Sequence, residues 1–531
     1  MFGGTTNPHP TRRPTGTRAL SETPMMWVGE DTKPIVVATR TGHLVAIGVC
    51  GATRTQVRSA ARQGVPDDIA WRWPGAYVVV HVEADGLEVW TDLGSVPVYV
   101  RGVSDREVMW STSARALASL DTAPALDLGA VTAFIKGEPI AGSLFVDVQR
   151  LPAGHRVRLK RGGWSATPVW APHPSPTPTA IRLRRALEAA VAVRVDGAEH
   201  PACDFSGGLD STSLALLAAR RLAPVGRTII GTTLHPAGIT TGGDMDYATA
   251  AGTAPGLDHA WIGLAESAAP YRDLSTLPPT DEPPVSAISV ASFTAQMRWV
   301  ADHGCEVHMT GDGGDALLVT RPSYIAEMLQ HRRMFTAFTA ASRFAQVRRL
   351  SLRQALTHAR AARPRNTGLV LSSRTHHAAL AALIDSARSA RADVELAATL
   401  GVRLENPFFD AQVIDAYLSL PLEEMPEPAR YKPLLIEGMR DVLPAALQRR
   451  VTKASTTADH YEGLRRSLAQ VDALLDGYLA EVGLLDVPTM RANLRRIAAG
   501  AGSLGTVQPI VAFEAWWRAM ARTPWEAGVQ R

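Results

Sequence analysis

The chain is 531 residues long, 46% hydrophobic and 20% charged, with a formal net charge of +4. That length divides into more than one core, and so small a charge is weak evidence for a polyanion binder; even RLRR at 182–185 carries an apolar residue at helical spacing, as a solvated helix face does. Three cysteines (Cys50, Cys203 and Cys305) without a CxxC pair exclude a disulfide scaffold and a thiolate metal cluster, and the lack of a signal peptide or an apolar run near about 18 residues makes a cytoplasmic protein the expectation.

Residues 1–24, rich in Thr, Pro and Gly, read as a disordered tail. From 34 onward short alternating stretches predict strands: PIVVATR (34–40), LVAIGV (44–49), AYVVVHV (76–82), LEVWT (87–91) and EVMWS (107–111). An Ala84-Asp85-Gly86 turn separates two of them, and LGAVTAFIK (128–136) predicts a helix. Residues 25–170 are therefore expected to form an α+β domain built on antiparallel sheet. APHPSPTPT (171–179) places proline at nearly every second position and reads as an extended linker.

The rhythm then changes. A helix at about 180–195, a short strand ending at Phe205 and a helix over 211–223 come first. TIIGTTL (228–234) predicts a strand, MDYATAAG (245–252) a helix and HAWIGL (259–264) a strand. A helix at about 287–303 and the strand CEVHMT (305–310) follow, and beyond 320 the pattern is almost wholly helical. Strand alternating with helix implies a parallel, doubly wound α/β sheet in residues 180–531, with ligands at the carboxyl ends of its strands.

One such end carries ACDFSGGLDSTSLALLAA (202–219). Gly207 and Gly208 let backbone N–H groups approach a ligand, Ser206 and Ser211 add hydroxyls, and a helix presents its amino end to the same place. That assembly suits a pyrophosphate. Asp210 would repel phosphate on its own, but not while holding Mg²⁺. No lysine follows as in a GxxxxGK[ST] loop. A second acidic corner, TGDGGDALL (310–318), also follows a strand; Gly311 begins it, Asp312 can face a reacting group, and Asp315 is a natural second Mg²⁺ ligand. Only five of the 55 Lys and Arg residues are lysines. Lys453, in RRVTKAS (449–455), therefore stands out as a compact cation for a phosphoryl group or oxyanion. Lys432, in a helical stretch, reads as structural.

SGGLDS and TGDGGDALL in that order resemble the pyrophosphate loop and acidic corner of the asparagine synthetase family of ATP pyrophosphatases. VRLENPFFDAQVI (402–414) is similar to its R-x-PF-x-D segment, and Lys453 falls where the family has a lysine at phosphate and reaction centre. TDLGSVPVYV (91–100), STSARALASL (111–120) and LFVDVQRLPAGHRVRL (144–159) resemble the end of a class II glutamine amidotransferase domain, an Ntn-type sandwich. The resemblance implies a PP-loop synthetase domain using ATP and Mg²⁺, with Leu234 also beside the nucleotide and Asp246 where relatives keep an acid. Asp312 stands where relatives carry Glu, and Ala316 replaces a family Glu.

A glutaminase of this kind needs a cysteine at its mature amino terminus, whereas this chain opens Met1-Phe2-Gly3. The expectation is that no ammonia is made and the attacking amine belongs to the substrate. Within the family that describes lasso peptide cyclases, which the GDGGDALL corner favours, and β-lactam synthetases as the alternative. A non-catalytic nucleotide-binding scaffold of a peptide-maturation complex is a further alternative. The implied partners are a precursor peptide, a leader-recognition protein and a leader peptidase, with no nucleic acid and no membrane.

Overall fold

The computed structural model describes all residues except 8–12, 15, 23–24, 30–32, 84–85, 106, 121–123, 237–240, 362–366, 453–456 and 523–531. Twelve strands build its first part. They are β1 (Phe2–Thr5), β2 (Thr17–Glu22), β3 (Met25–Gly29), β4 (Ile35–Ala38), β5 (Gly42–Gly48) and β6 (Tyr77–Glu83). β7 (Gly86–Trp90), β8 (Tyr99–Ser104), β9 (Glu107–Ser111), β10 (Gln149–Arg150), β11 (His155–Lys160) and β12 (Gly163–Pro168) complete the set. They form two six-stranded sheets, in the orders β10-β8-β9-β1-β3-β2 and β12-β11-β7-β6-β5-β4.

Every pairing in these two sheets is antiparallel. Period-two side chains sort to two faces. Phe2, Val28, Val80, Val89, Val108, Trp110 and Leu159 meet between the sheets. On the outer face of the first sheet, Trp27, Tyr99 and Met109 pack with helices Ala114–Ala118, Leu128–Ile135 and Gln508–Arg522. On the outer face of the second, Leu44, Ala46, Tyr77 and Val79 join helix Arg54–Gln63 and, from the other half of the chain, Leu183 and Leu187 of helix Thr179–Val195. The result is a layered helix–sheet–sheet–helix stack.

The expected tail is corrected. Residues 2–5 are a strand between β9 and β3 with Phe2 fully buried, and residues 17–22 are another strand. Composition misled because FGGT is short and carries only one large apolar residue. Ala84 and Asp85 of the expected turn lie outside the described residues, while β6 and β7 on either side pair antiparallel. The proline-rich stretch is extended and leans on helix Ala411–Leu418, where the His173 backbone N–H donates to Ser419 Oγ at 2.8 Å.

The second part holds β13 (Pro201–Asp204), β14 (Ile229–Pro236), β15 (Leu257–Leu264), β16 (Val307–Met309) and β17 (Arg403–Glu405). They form one wholly parallel sheet in the order β15-β14-β13-β16-β17. Beyond 320 the described residues are almost wholly helical, as expected, with β17 as a strand that the sequence did not reveal; at three residues it is too short for a strand period to show. The strand order runs one way from β13 to β15 and the other way from β16 to β17. The crevice at the carboxyl ends of β13 and β16 is thus the switch point at which such sheets take ligands. Among the described residues no helix is long and apolar enough to cross a membrane.

Candidate active site at the sheet switch point

Three neighbouring strands are tied together by one polar cluster. Asp204 Oδ1, at the end of β13, accepts from Gln296 Nε2 at 2.7 Å and lies 2.8 Å from Nε2 of the fully buried His308 on β16. Gln296 also donates to Thr232 Oγ1 of β14 at 3.0 Å. The chain then turns through Ser206-Gly207-Gly208 into helix Leu209–Leu222. Gly207 has φ +80°, and a Cβ there would lie 2.0 Å from the Asp244 carbonyl oxygen. Only glycine lets this loop press against helix Asp244–Ala251. Ser206 and Ser211 hydroxyls are 3.0 Å apart on the loop's open side. The helix amino end has no side-chain cap, which leaves first-turn N–H groups for an anion.

The acidic corner after β16 packs directly on this loop. A Cβ at Gly311 would sit 2.8 Å from Ser211 N, and one at Gly314 would sit 2.4 Å from Asp210 Cγ. Thr310 braces the corner, donating from Oγ1 to Asn406 Oδ1 at 2.6 Å and accepting from Asp312 N at 3.1 Å. Asn406 belongs to the segment that follows β17, so the PFFD stretch buttresses the corner. Behind it, Arg194 is buried between Asp410 Oδ1 at 2.6 Å and Glu405 Oε2 at 3.1 Å. Burial alone would lower this guanidinium, but the two carboxylates outweigh it and hold it above its usual range.

Ser206, Gly207, Gly208, Asp210, Ser211, Gly311 and Asp315 thus come together at one junction. Leu234 lies half-buried on the adjacent strand β14, and Asp246 caps the neighbouring loop by accepting from Gly242 N at 2.8 Å. Asp312 is exposed at the corner. It has a companion the sequence did not reveal: Asp393 on helix Arg374–Ala398, which accepts from the Ser286 hydroxyl. Burial first, and the charge of Asp312 as well, push the Asp393 carboxyl up to about 7.

Lys453 lies outside the described residues. The segment leading to it is anchored by the buried Arg450, another residue sequence reasoning missed. Arg450 donates to Gly207 O at 2.7 Å and Thr452 O at 2.7 Å, pairs with Asp244 and stacks 4.6 Å over the Tyr247 ring. Lys432 departs furthest from expectation. It is fully buried and bridges the two acids, pairing with Asp210 and, at 2.6 Å, with Asp315 Oδ1. Its scarcity was the available signal, since only Lys432 and Lys453 occur after Lys160.

A doubly wound sheet whose switch point joins a glycine-rich anion cradle to a pair of acids defines an α/β protein built to hold an anionic ligand. A family model described as asparagine synthase matches residues 182–518, and the chain belongs to the asparagine synthase family. That family uses ATP to form amide bonds, usually with Mg²⁺. Comparison with curated proteins finds no match.

The junction fits that cofactor pair. Among the described residues no three or more His, Cys, Asp or Glu side chains gather as a metal site. Two carboxylates beside an uncapped helix start are nevertheless what Mg²⁺ needs when a nucleotide's phosphates supply further oxygens.

Proposed function

We propose that the protein is an ATP-dependent macrolactam-forming cyclase of the lasso peptide kind. It adenylates an Asp or Glu side chain of a leader-cleaved peptide and joins it to that peptide's own amino terminus, releasing pyrophosphate and AMP. One observation favours an amine carried by the substrate over ammonia from glutamine. All three cysteines are poor nucleophiles, because the thiolate is the reactive form. Burial pushes the Cys50 thiol up to about 11 and holds those of Cys203 and Cys305 above their ordinary value.

In this reading the peptide carboxylate oxygen attacks the α-phosphorus of ATP, and the bond to the bridging oxygen of pyrophosphate breaks. The amine nitrogen then attacks the acyl carbon, AMP leaves with the bonding pair, and the amine gives up its proton on the Asp312 side of the site. Asp210 and Asp315 would hold Mg²⁺, which neutralises the phosphates. Ser206, Ser211 and the first-turn N–H groups would grip pyrophosphate, with Lys453 at the developing charge. Holding amine and acyl carbon together makes ring closure an intramolecular step. A leader-recognition protein and a leader peptidase are the partners this activity calls for.

The test supplies ATP, Mg²⁺ and a leaderless peptide with a free amino terminus and an internal Asp or Glu. The expected products are AMP and a peptide lighter by one water, and glutamine should yield no glutamate. Asp210→Asn should lower ATP–pyrophosphate exchange by about 100-fold. Glutamate release from glutamine by the wild-type chain would sink the proposal.

A further inference from the structure

Asp210 and Asp315 project from different elements, one from the first turn of helix Leu209–Leu222 and the other from that of Gly314–Leu318. Two carboxylates converging on one point repel each other unless a cation stands between them. In this structure that cation is the Lys432 ammonium, which contacts both. Its placement is built in. Lys432 is fully buried, yet its backbone is left-handed at φ +45° and ψ +47°, a conformation unfavourable for a side chain of its shape. Pro433, the first residue of helix Pro433–Gly438, fixes the chain just beyond it. The Tyr431 ring lies 5.2 Å from Nζ. Strain of this kind persists only where surrounding contacts over-determine it, and here they aim one ammonium at one pair of acids.

We infer that Lys432 is the resident counter-ion of the Asp210–Asp315 pair and keeps free divalent metal out of it until a triphosphate arrives. The inference rests on the reading that these two aspartates are the Mg²⁺ ligands. Free Mg²⁺ dehydrates reluctantly and would have to enter beside a fixed positive charge. A metal–triphosphate complex meets no such barrier, because its net negative charge is drawn to the ammonium. The lysine stem is flexible enough for Nζ to turn from carboxylate to phosphate while the strained backbone stays in place. Metal binding thereby becomes conditional on nucleotide, and the ammonium keeps the two acids in register until then.

Mn²⁺ titrations of the full-length protein, followed by electron paramagnetic resonance, test this without any turnover. Wild-type protein should take up Mn²⁺ at this site only when a non-hydrolysable ATP analogue is present. Lys432→Met should bind Mn²⁺ without nucleotide at least tenfold more tightly than wild type, and Asp210→Asn added to that variant should abolish the gain. Mn²⁺ binding to nucleotide-free wild type that is lost in Asp210→Asn overturns the inference, even if Lys432→Met does not fold. A folded Lys432→Met protein with no gain overturns it too. Failure of wild type to bind Mn²⁺ even with the analogue would instead remove Asp210 and Asp315 from the metal site, and the inference with them.

Discussion

Gly314 shows how finely the junction is set at the scale of single residues. Its backbone comes so close to Asp210 that an added Cβ would lie 2.6 Å from Oδ1 and 2.8 Å from Oδ2. Gly314→Ala should therefore cost only about 1–3 kcal/mol of stability as an overpacking strain, while moving Asp210 off its position. Chemical denaturation and ATP–pyrophosphate exchange measured on the same protein separate the two effects: exchange should fall well beyond what the loss of folded protein explains. The motifs themselves were legible, because glycines and acids in GDGGD have few structural uses together. The roles of Lys432, Arg450 and Asp393 were not. Each reaches the glycine-rich loop or the acidic corner from more than 75 residues away in sequence, from a stretch whose local pattern is only that of a helix or loop, and proximity of that kind is created by the fold.

At the scale of elements, long alternating strands were readable and short ones were not. AYVVVHV and LEVWT became β6 and β7 nearly as expected, since seven or five alternating residues carry a clear period. β1 and β17 carry four and three residues, and their strand character comes from neighbours on both sides or from a sheet edge. β1 shows what that context is worth. Phe2 is fully buried between the two sheets with its ring 5.3 Å from that of Trp110, and its N–H donates to Thr112 Oγ1 at 3.0 Å. Phe2→Ala should cost about 3–5 kcal/mol, the usual range for a truncated core aromatic. Urea unfolding followed by tryptophan fluorescence reads this directly, because Trp27 and Trp110 lie on the strands flanking β1. A loss below 1 kcal/mol would mean that the amino-terminal strand is expendable, as a tail would be.

At the scale of the whole molecule the two halves are joined by a polar seam as well as by a shared apolar core. Asp281 accepts from Ser113 Oγ at 2.6 Å and from Arg115 N at 3.0 Å, and its own N–H donates to Glu395 Oε2 at 2.8 Å. Tyr99 OH donates to Glu282 at 3.1 Å; Arg388 pairs with Glu282 and donates to the carbonyls of Ile140 and Gly142, each at 2.9 Å. Arg391 stands 3.3 Å from Glu395. Burial, then the nearby Asp281 charge, nonetheless raise the Glu395 carboxyl well above its ordinary value. Asp393, at about 7, shifts the same way. An acid raised in the folded state binds more protons there than in the unfolded chain. Its stabilisation is complete below the unfolded value and declines as pH climbs to the folded one. The buried His155 and His376 and the half-buried His259, His377 and His460 are lowered by desolvation and act in the opposite sense, but only below about 6.5, where an unfolded histidine takes up its proton. Above that point the acids act alone. The melting temperature should therefore fall between pH 6.5 and 8, and the loss should be smaller in Glu395→Gln, whose amide oxygen can still accept from Asp281 N without ionising. Scanning calorimetry of both proteins across that range checks the sign, and a wild-type melting temperature that rises with pH there would show that Glu395 and Asp393 are ionised in the folded protein.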